Sequence, residues 1–199
     1  MSEQGKPARD SELLKLANHA LSQAKAQIEL QGDLPPIFIL RTEGGRLQRL
    51  PMKPELAALM NDGDAKDLIF GAIRTIVQES KCTATVFLTD GWFCPPTEKM
   101  QKLSLAEQKA MHDANGTSWL HENGYVLKLE RLLCTVQTPT RVLIRRVPYE
   151  RTQYGVNFKT PEDWEMPIDQ FGGRQKMFGD LNVLGMDPRK RAGMETEKQ

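Results

Sequence analysis

A chain of 199 residues buries roughly 70% of its unfolded surface when it folds, enough for one core without disulfides. Its 39% hydrophobic and 27% charged residues exclude collagen-like, coiled-coil-only and wholly disordered chains. Lys plus Arg number 27 and Asp plus Glu 26, so the net charge of +1 supplies no field for nucleic acid or anionic lipid.

From Asp10 onward, Leu13, Ala17, Ala20, Ala24 and Ile28, with Leu14 and Leu21, recur at helical spacing. Asp10 or Ser11 caps the start and Gly32 ends the helix. Pro35-Pro36, Ile37 to Leu40, the turn-forming Thr42-Glu43-Gly44-Gly45 and Leu47 to Leu50 predict a β-hairpin. Glu55 to Met60 predicts a short helix, and Asn61-Asp62-Gly63-Asp64 a turn and cap. A long helix follows, with Leu68, Ile69, Ala72, Ile73, Ile76 and Val77 as its expected buried stripe.

Thr83 to Thr89 alternates Ala84, Val86 and Leu88 with threonines, the period of a strand, and Asp90-Gly91 is expected to close it. Residues 91–124 break the rhythm and look inserted, although Ser104 with Glu107 predicts a capping box for a helix to about Ala114, stopped by Asn115-Gly116. Arg131 to Gln137 and Arg141 to Val147, around Thr138-Pro139, predict a second hairpin, and Tyr125 to Leu129 fits neither period.

Beyond Tyr149, prolines 161, 167 and 188 and glycines 172, 173, 179 and 185 interrupt any long element, so 149–186 reads as an irregular C-terminal arm. Thr160-Pro161-Glu162-Asp163 resembles a helix start that Pro167 limits to one turn carrying Trp164. Trp164, Phe171 and Phe178 read as separate anchors on the arm. The ends, 1–9 and 187–199, read as disordered, leaving 10–148 as a single domain.

This order of helix, two strands, helix, strand, insertion and two strands resembles roadblock, longin and profilin-like domains in topology, and PAS and GAF sensors more loosely. The resemblance implies an α+β fold, a mainly antiparallel sheet of about five strands flanked by helices. It also implies pairing of two copies through the sheet or first helix.

Three separated cysteines, Cys82, Cys94 and Cys134, fit free thiols in a reducing compartment. The N-terminus carries acid early and leads into an amphipathic stretch, unlike a secretory signal, and no run of about 18 apolar residues is present, so a cytoplasmic chain without a membrane partner is expected. The most distinctive cluster is Asp90-Gly91-Trp92-Phe93-Cys94-Pro95-Pro96, where Trp92 and Phe93 are candidate binding residues. Cys94 with His112 or His121 as base and Asp90 as orienter would make a nucleophile; the alternative has Cys94 as a small buried hydrophobe and Trp92 and Phe93 packing the insertion onto the sheet. Cysteines and histidines are too scattered for a local metal clamp, and neither Gly44-Gly45 nor Gly172-Gly173 feeds a helix as a phosphate cradle does, so no metal or cofactor is expected. Arg141, Arg145, Arg146 and Arg151 could line a basic strand face, or serve as a charged edge that resists sheet association.

These features point to a non-enzymatic interaction or assembly module that joins a protein partner, or a second copy of itself, through Trp164, Phe171 and Phe178. A small-molecule sensor with residues 92–124 over a pocket is the alternative, and a Cys- or metal-dependent hydrolase the second alternative.

Overall fold

The computed structural model describes residues 11–50, 52–59, 63–172 and 175–178. Helix α1 (Glu12–Gln31) starts where the Ser11 hydroxyl accepts from Leu14 N at 3.2 Å and ends where Gly32 turns left-handed at φ 83°. Strands β1 (Ile37–Thr42) and β2 (Leu47–Leu50) form the first hairpin, α2 (Pro54–Leu59) and α3 (Gly63–Glu79) follow, and β3 (Cys82–Phe93) leads into α4 (Glu98–Gln101) and α5 (Leu105–Glu122). Four strands complete the described chain: β4 (Leu129–Gln137), β5 (Arg141–Thr152), β6 (Gly155–Phe158) and β7 (Glu162–Pro167). The sheet is antiparallel, in the order β2-β1-β3-β4-β5-β6, with β7 paired to β5 beside β6. The architecture is therefore α+β.

Each sheet face builds its own core. Val86 and Leu88 of β3, Leu132, Cys134 and Val136 of β4, and Leu143, Val147 and Tyr149 of β5 pack against Leu13, Ala17, Ala20, Leu21, Ala24 and Ile28 of α1. Alanine at three of these helix positions lets the backbone approach the sheet closely. On the reverse face Phe38, Leu40 and Phe87 pack against Phe70, Ile73 and Val77 of α3 and against Met177. The expected stripe of α3 is thus corrected: Leu68, Ala72 and Ile76 are exposed, Leu68 at 76%, and Phe70 goes in their place. Phe70, Ile73 and Val77 stand three and seven residues apart on one line of the helix, and the ring buries more area than Leu68 or Ala72 would.

Two further expectations change and a third holds. Asp90-Gly91 does not close β3, because pairing with β4 continues to Phe93 opposite Leu129; ladder hydrogen bonds outweigh a local turn preference. The inserted helix does break at Gly116, as expected: at φ 74° and ψ 167° the chain leaves the helical region there, and a second helical segment of α5 then runs on to Glu122. In the stretch expected to be an irregular arm, 155–158 and 162–167 are edge strands, and Trp164 sits on a strand instead of a helical turn. Between Pro161 and Pro167 a helix could close too few hydrogen bonds to offset nucleation, whereas edge strands tolerate proline at their ends. The sheet therefore has seven strands, not about five.

Residues 175–178 return across the reverse face. The Gln137 amide donates from Nε2 to Gln175 O at 2.6 Å, and its Oε1 accepts from Met177 N at 2.8 Å. Phe178 packs against the same core. Residues 1–9 and 187–199, expected to be disordered, lie outside the described residues.

The insertion forms a lobe with a small core of Met100, Leu120 and Val126, against which Cys94, Leu103, Met111 and Tyr125 pack. Its two ends are tied together where Thr97 N donates to Tyr125 O and Leu127 N donates to Pro95 O, both at 2.9 Å. This pairing accounts for Tyr125 to Leu129, which fitted no period.

Candidate functional site

The extension of β3 past Asp90 carries two consecutive aromatics to the same end of the sheet but onto opposite faces. Trp92, 55% exposed, stands on the α1 side, and Phe93, 42% exposed, on the α3 side. Neither belongs to the small core of the lobe.

On the α1 side, beyond the end of α1, an open cleft of about 680 Å³ is lined by Asp90, Trp92, Cys94, Thr117, Glu130 and Arg151. Lys128 Nζ lies 4.0 Å from the centre of the Trp92 ring. At the cleft floor the Tyr149 hydroxyl donates to Asp90 Oδ1 at 2.6 Å and accepts from Arg151 Nη2 at 3.2 Å, while Arg151 Nε donates to Glu130 Oε1 at 2.7 Å. Burial pushes the Asp90 carboxyl above its ordinary value, although the Tyr149 hydrogen bond and the Arg151 charge pull the other way. Burial and the adjoining carboxylate push the Tyr149 hydroxyl up as well, and the hydrogen bond to Glu130 raises Arg151. The hydroxyl thus stays protonated and serves as a donor.

A carboxyl raised in the native state holds its proton more tightly there than when unfolded. Its share of stability is therefore fullest below about pH 3.9 and is lost as pH rises through the raised native value. Asp90→Asn keeps an acceptor for Tyr149 without the buried charge, so it should match or exceed the wild-type melting temperature at pH 7 and flatten the slope above pH 4. Asp90→Ala strands the hydroxyl and should cost about 1–3 kcal/mol. Melts from pH 4 to 8 check this; an Asn variant as unstable as the Ala variant would show that the carboxylate charge itself holds the end of the sheet.

The nucleophile arrangement does not assemble around these groups. His112 Nε2 pairs with Thr117 Oγ1 at 3.2 Å, His121 Nδ1 pairs with Val126 O at 3.3 Å, and Asp90 is engaged by Tyr149. Cys94 is half-buried beside the lobe core, and burial pushes the Cys134 thiol up to about 12. Among the described residues no three His, Cys, Asp or Glu side chains converge as metal ligands.

On the α3 side the aromatics and arginines interleave. The Arg131 guanidinium carbon lies 4.1 Å from the centre of the Phe93 ring, and that of Arg146 lies 5.4 Å from Phe93 and 4.5 Å from Trp164. Leu129, paired with Phe93 across the strands, is 38% exposed beside them. Glu162 Oε2 lies 3.8 Å from Arg131 Nη1 and 3.4 Å from Arg146 Nη1. Burial, then the neighbouring Arg146 charge, pushes Arg131 down from its ordinary value.

Of the five residues singled out from sequence, this face joins Phe93 and Trp164. Trp92 is in the cleft behind it, Phe171 is half-buried after the short 3-10 turn Ile168–Gln170, and Phe178 is packed in the reverse-face core. The four arginines read together as a basic face are divided by the alternation of β5, each beside a carboxylate: Arg141 with Glu165, Arg145 with Asp163, Arg146 with the Glu162 that Arg131 shares, and Arg151 with Glu130. Glu130, Arg131 and Tyr149 were not singled out; their place became visible only once β3 continued past Asp90 to pair with them.

No known protein family, curated protein or solved structure matches this chain. Among the described residues no helix is long and apolar enough to cross a membrane.

Proposed function

We propose that this chain is a non-enzymatic protein–protein interaction module whose docking surface is the Phe93–Trp164 face, with Trp164 as the contribution of the C-terminal stretch. The observation that carries the reading is the exposure of Phe93 and Leu129 side by side on a sheet face whose other half is covered by α3 and residues 175–178. Adjacent exposed apolar side chains on a rigid sheet, rimmed by arginine and tryptophan, have the composition of an interaction hot spot. Phe178 packs in the core that covers the other half of the same sheet face, and Phe171 is half-buried after the 3-10 turn.

A benzophenone amino acid placed at Leu129 in cells, followed by ultraviolet irradiation, tests this. The expected result is one or a few discrete adducts, of twice the chain mass if the partner is a second copy. The same probe at Tyr154, almost fully exposed at the β5–β6 turn, should not give them. No adduct at Leu129, or the same adducts from both positions, would overturn the reading.

A second reading, a small-molecule sensor, is favoured by the exposed Trp92 ring over the cleft. It requires a metabolite to raise the melting temperature by mass action, and to do so less in Trp92→Ala. A flat response across a metabolite panel removes it.

A further inference from the structure

We propose that the Phe93–Trp164 face takes an acidic peptide segment of a partner protein, receiving one of its carboxylates between Arg131 and Arg146. This rests on the interaction-module reading and names the chemistry of what the module binds. The two guanidinium groups share Glu162, at 3.8 and 3.4 Å. Charge-assisted hydrogen bonds close to about 2.7–2.9 Å; the one that Arg146 Nη1 donates to Glu162 is long, and Arg131 meets Glu162 as an ion pair without a hydrogen bond. Nε and Nη1 of Arg131 are buried and have no hydrogen-bond acceptor among the described residues. Buried donors without acceptors carry a desolvation cost; these two atoms are closed to solvent, so a carboxylate offsets that cost through its charge beside the guanidinium and not by bonding to them.

Neighbouring arginines are better matched. Arg145 donates twice to Asp163, at 2.7 and 2.9 Å, and Arg151 donates to Glu130 at 2.7 Å. On the α3 side, Arg131 and Arg146 thus set two positive charges against the one carboxylate they share. The Arg131 and Arg146 guanidiniums sit over the Phe93 and Trp164 rings, and a planar guanidinium presents its donors along its edge. A flat carboxylate suits such an edge, offering two oxygens to a planar fork of donors. Phe93 and Leu129 supply apolar area alongside, which selects an acidic residue next to an apolar one. With a net charge of +1 the chain has no broad field to hold a polyanion, so the site works at the scale of one or two carboxylates.

The test follows the side-chain Nε–Hε resonances of Arg131 and Arg146 by ¹⁵N NMR in the full chain. Three probes are titrated separately: the peptide acetyl-Leu-Asp-Glu-Phe-amide, its neutral counterpart acetyl-Leu-Asn-Gln-Phe-amide, and inorganic phosphate. The acidic peptide alone should give saturable shifts at both arginines. Arg146→Gln should weaken that binding roughly tenfold, the size of one lost charged hydrogen bond. Glu162→Gln, which removes the internal competitor, should tighten it; the backbone spectrum reports whether each variant is folded. Equal shifts from both peptides would overturn the carboxylate site and leave an apolar docking face. Larger shifts from phosphate at lower concentration would overturn the peptide carboxylate as the ligand. No shift from any probe would overturn the site, and the Leu129 cross-link then decides separately whether the module reading stands.

Discussion

Phe70→Ala should lower the unfolding free energy by about 3–5 kcal/mol, the range for deleting a fully buried aromatic ring. Phe70 meets Phe38 edge-on at 5.6 Å and Phe87 at 5.4 Å, and those two rings stack on each other at 4.5 Å. Removing it opens a void against two strands at once and releases the contact that orients α3. Since domains of this kind are stable by only about 5–15 kcal/mol, the loss is a large fraction of the total. Leu68→Ala, two positions earlier on the same helix, should stay within about 0.5 kcal/mol because Leu68 is already in water. Urea unfolding of both variants measures the rotation of α3 directly. A costly Leu68→Ala with a mild Phe70→Ala would mean that the opposite stripe faces the sheet.

That pair marks where the sequence was legible and where it was not. Ser11, the alanine-rich face of α1 and Gly32 are local signals, and α1 begins, packs and ends as they indicate. The same holds for the Ser104–Glu107 capping box and for the Thr138–Arg141 turn, where the threonine hydroxyl accepts from Arg141 N at 3.0 Å. The rotation of α3 was ambiguous because apolar residues occur on both sides of it, and only the neighbouring strands decide which side is buried. Gly91 and Pro161 resemble breakers in isolation. They stand within and just before strands because β4 and β5 provide partners distant in sequence. The candidate docking face depends entirely on such pairings: Phe93, Arg131, Arg146 and Trp164 come from four different strands, and no spacing along the chain relates them.

Gln137→Leu should free residues 175–178 from the sheet while the sheet itself stays folded. Gln137 is fully buried at the end of β4, and its one side chain satisfies both a carbonyl, at Gln175, and an amide, at Met177. Leucine can do neither, and each polar group left buried costs about 1–3 kcal/mol. Detaching four residues and returning those groups to water is the cheaper response, at the expense of the Met177 contact with the reverse-face core. Amide exchange at 176–178 should therefore become fast, with smaller loss of protection in α3 and almost none in β4. Gln137→Glu adds a pH dependence of known sign. Its buried carboxyl titrates above the ordinary range; ionised, it has no donor for the Gln175 carbonyl, and protonated, it regains one. Protection of 176–178 should thus be weak at neutral pH and recover as pH falls. Unchanged exchange at 176–178 in Gln137→Leu would show that Met177 and Phe178 hold the segment by apolar contact alone, and a parallel loss of protection in β4 would show that it is part of the cooperative core.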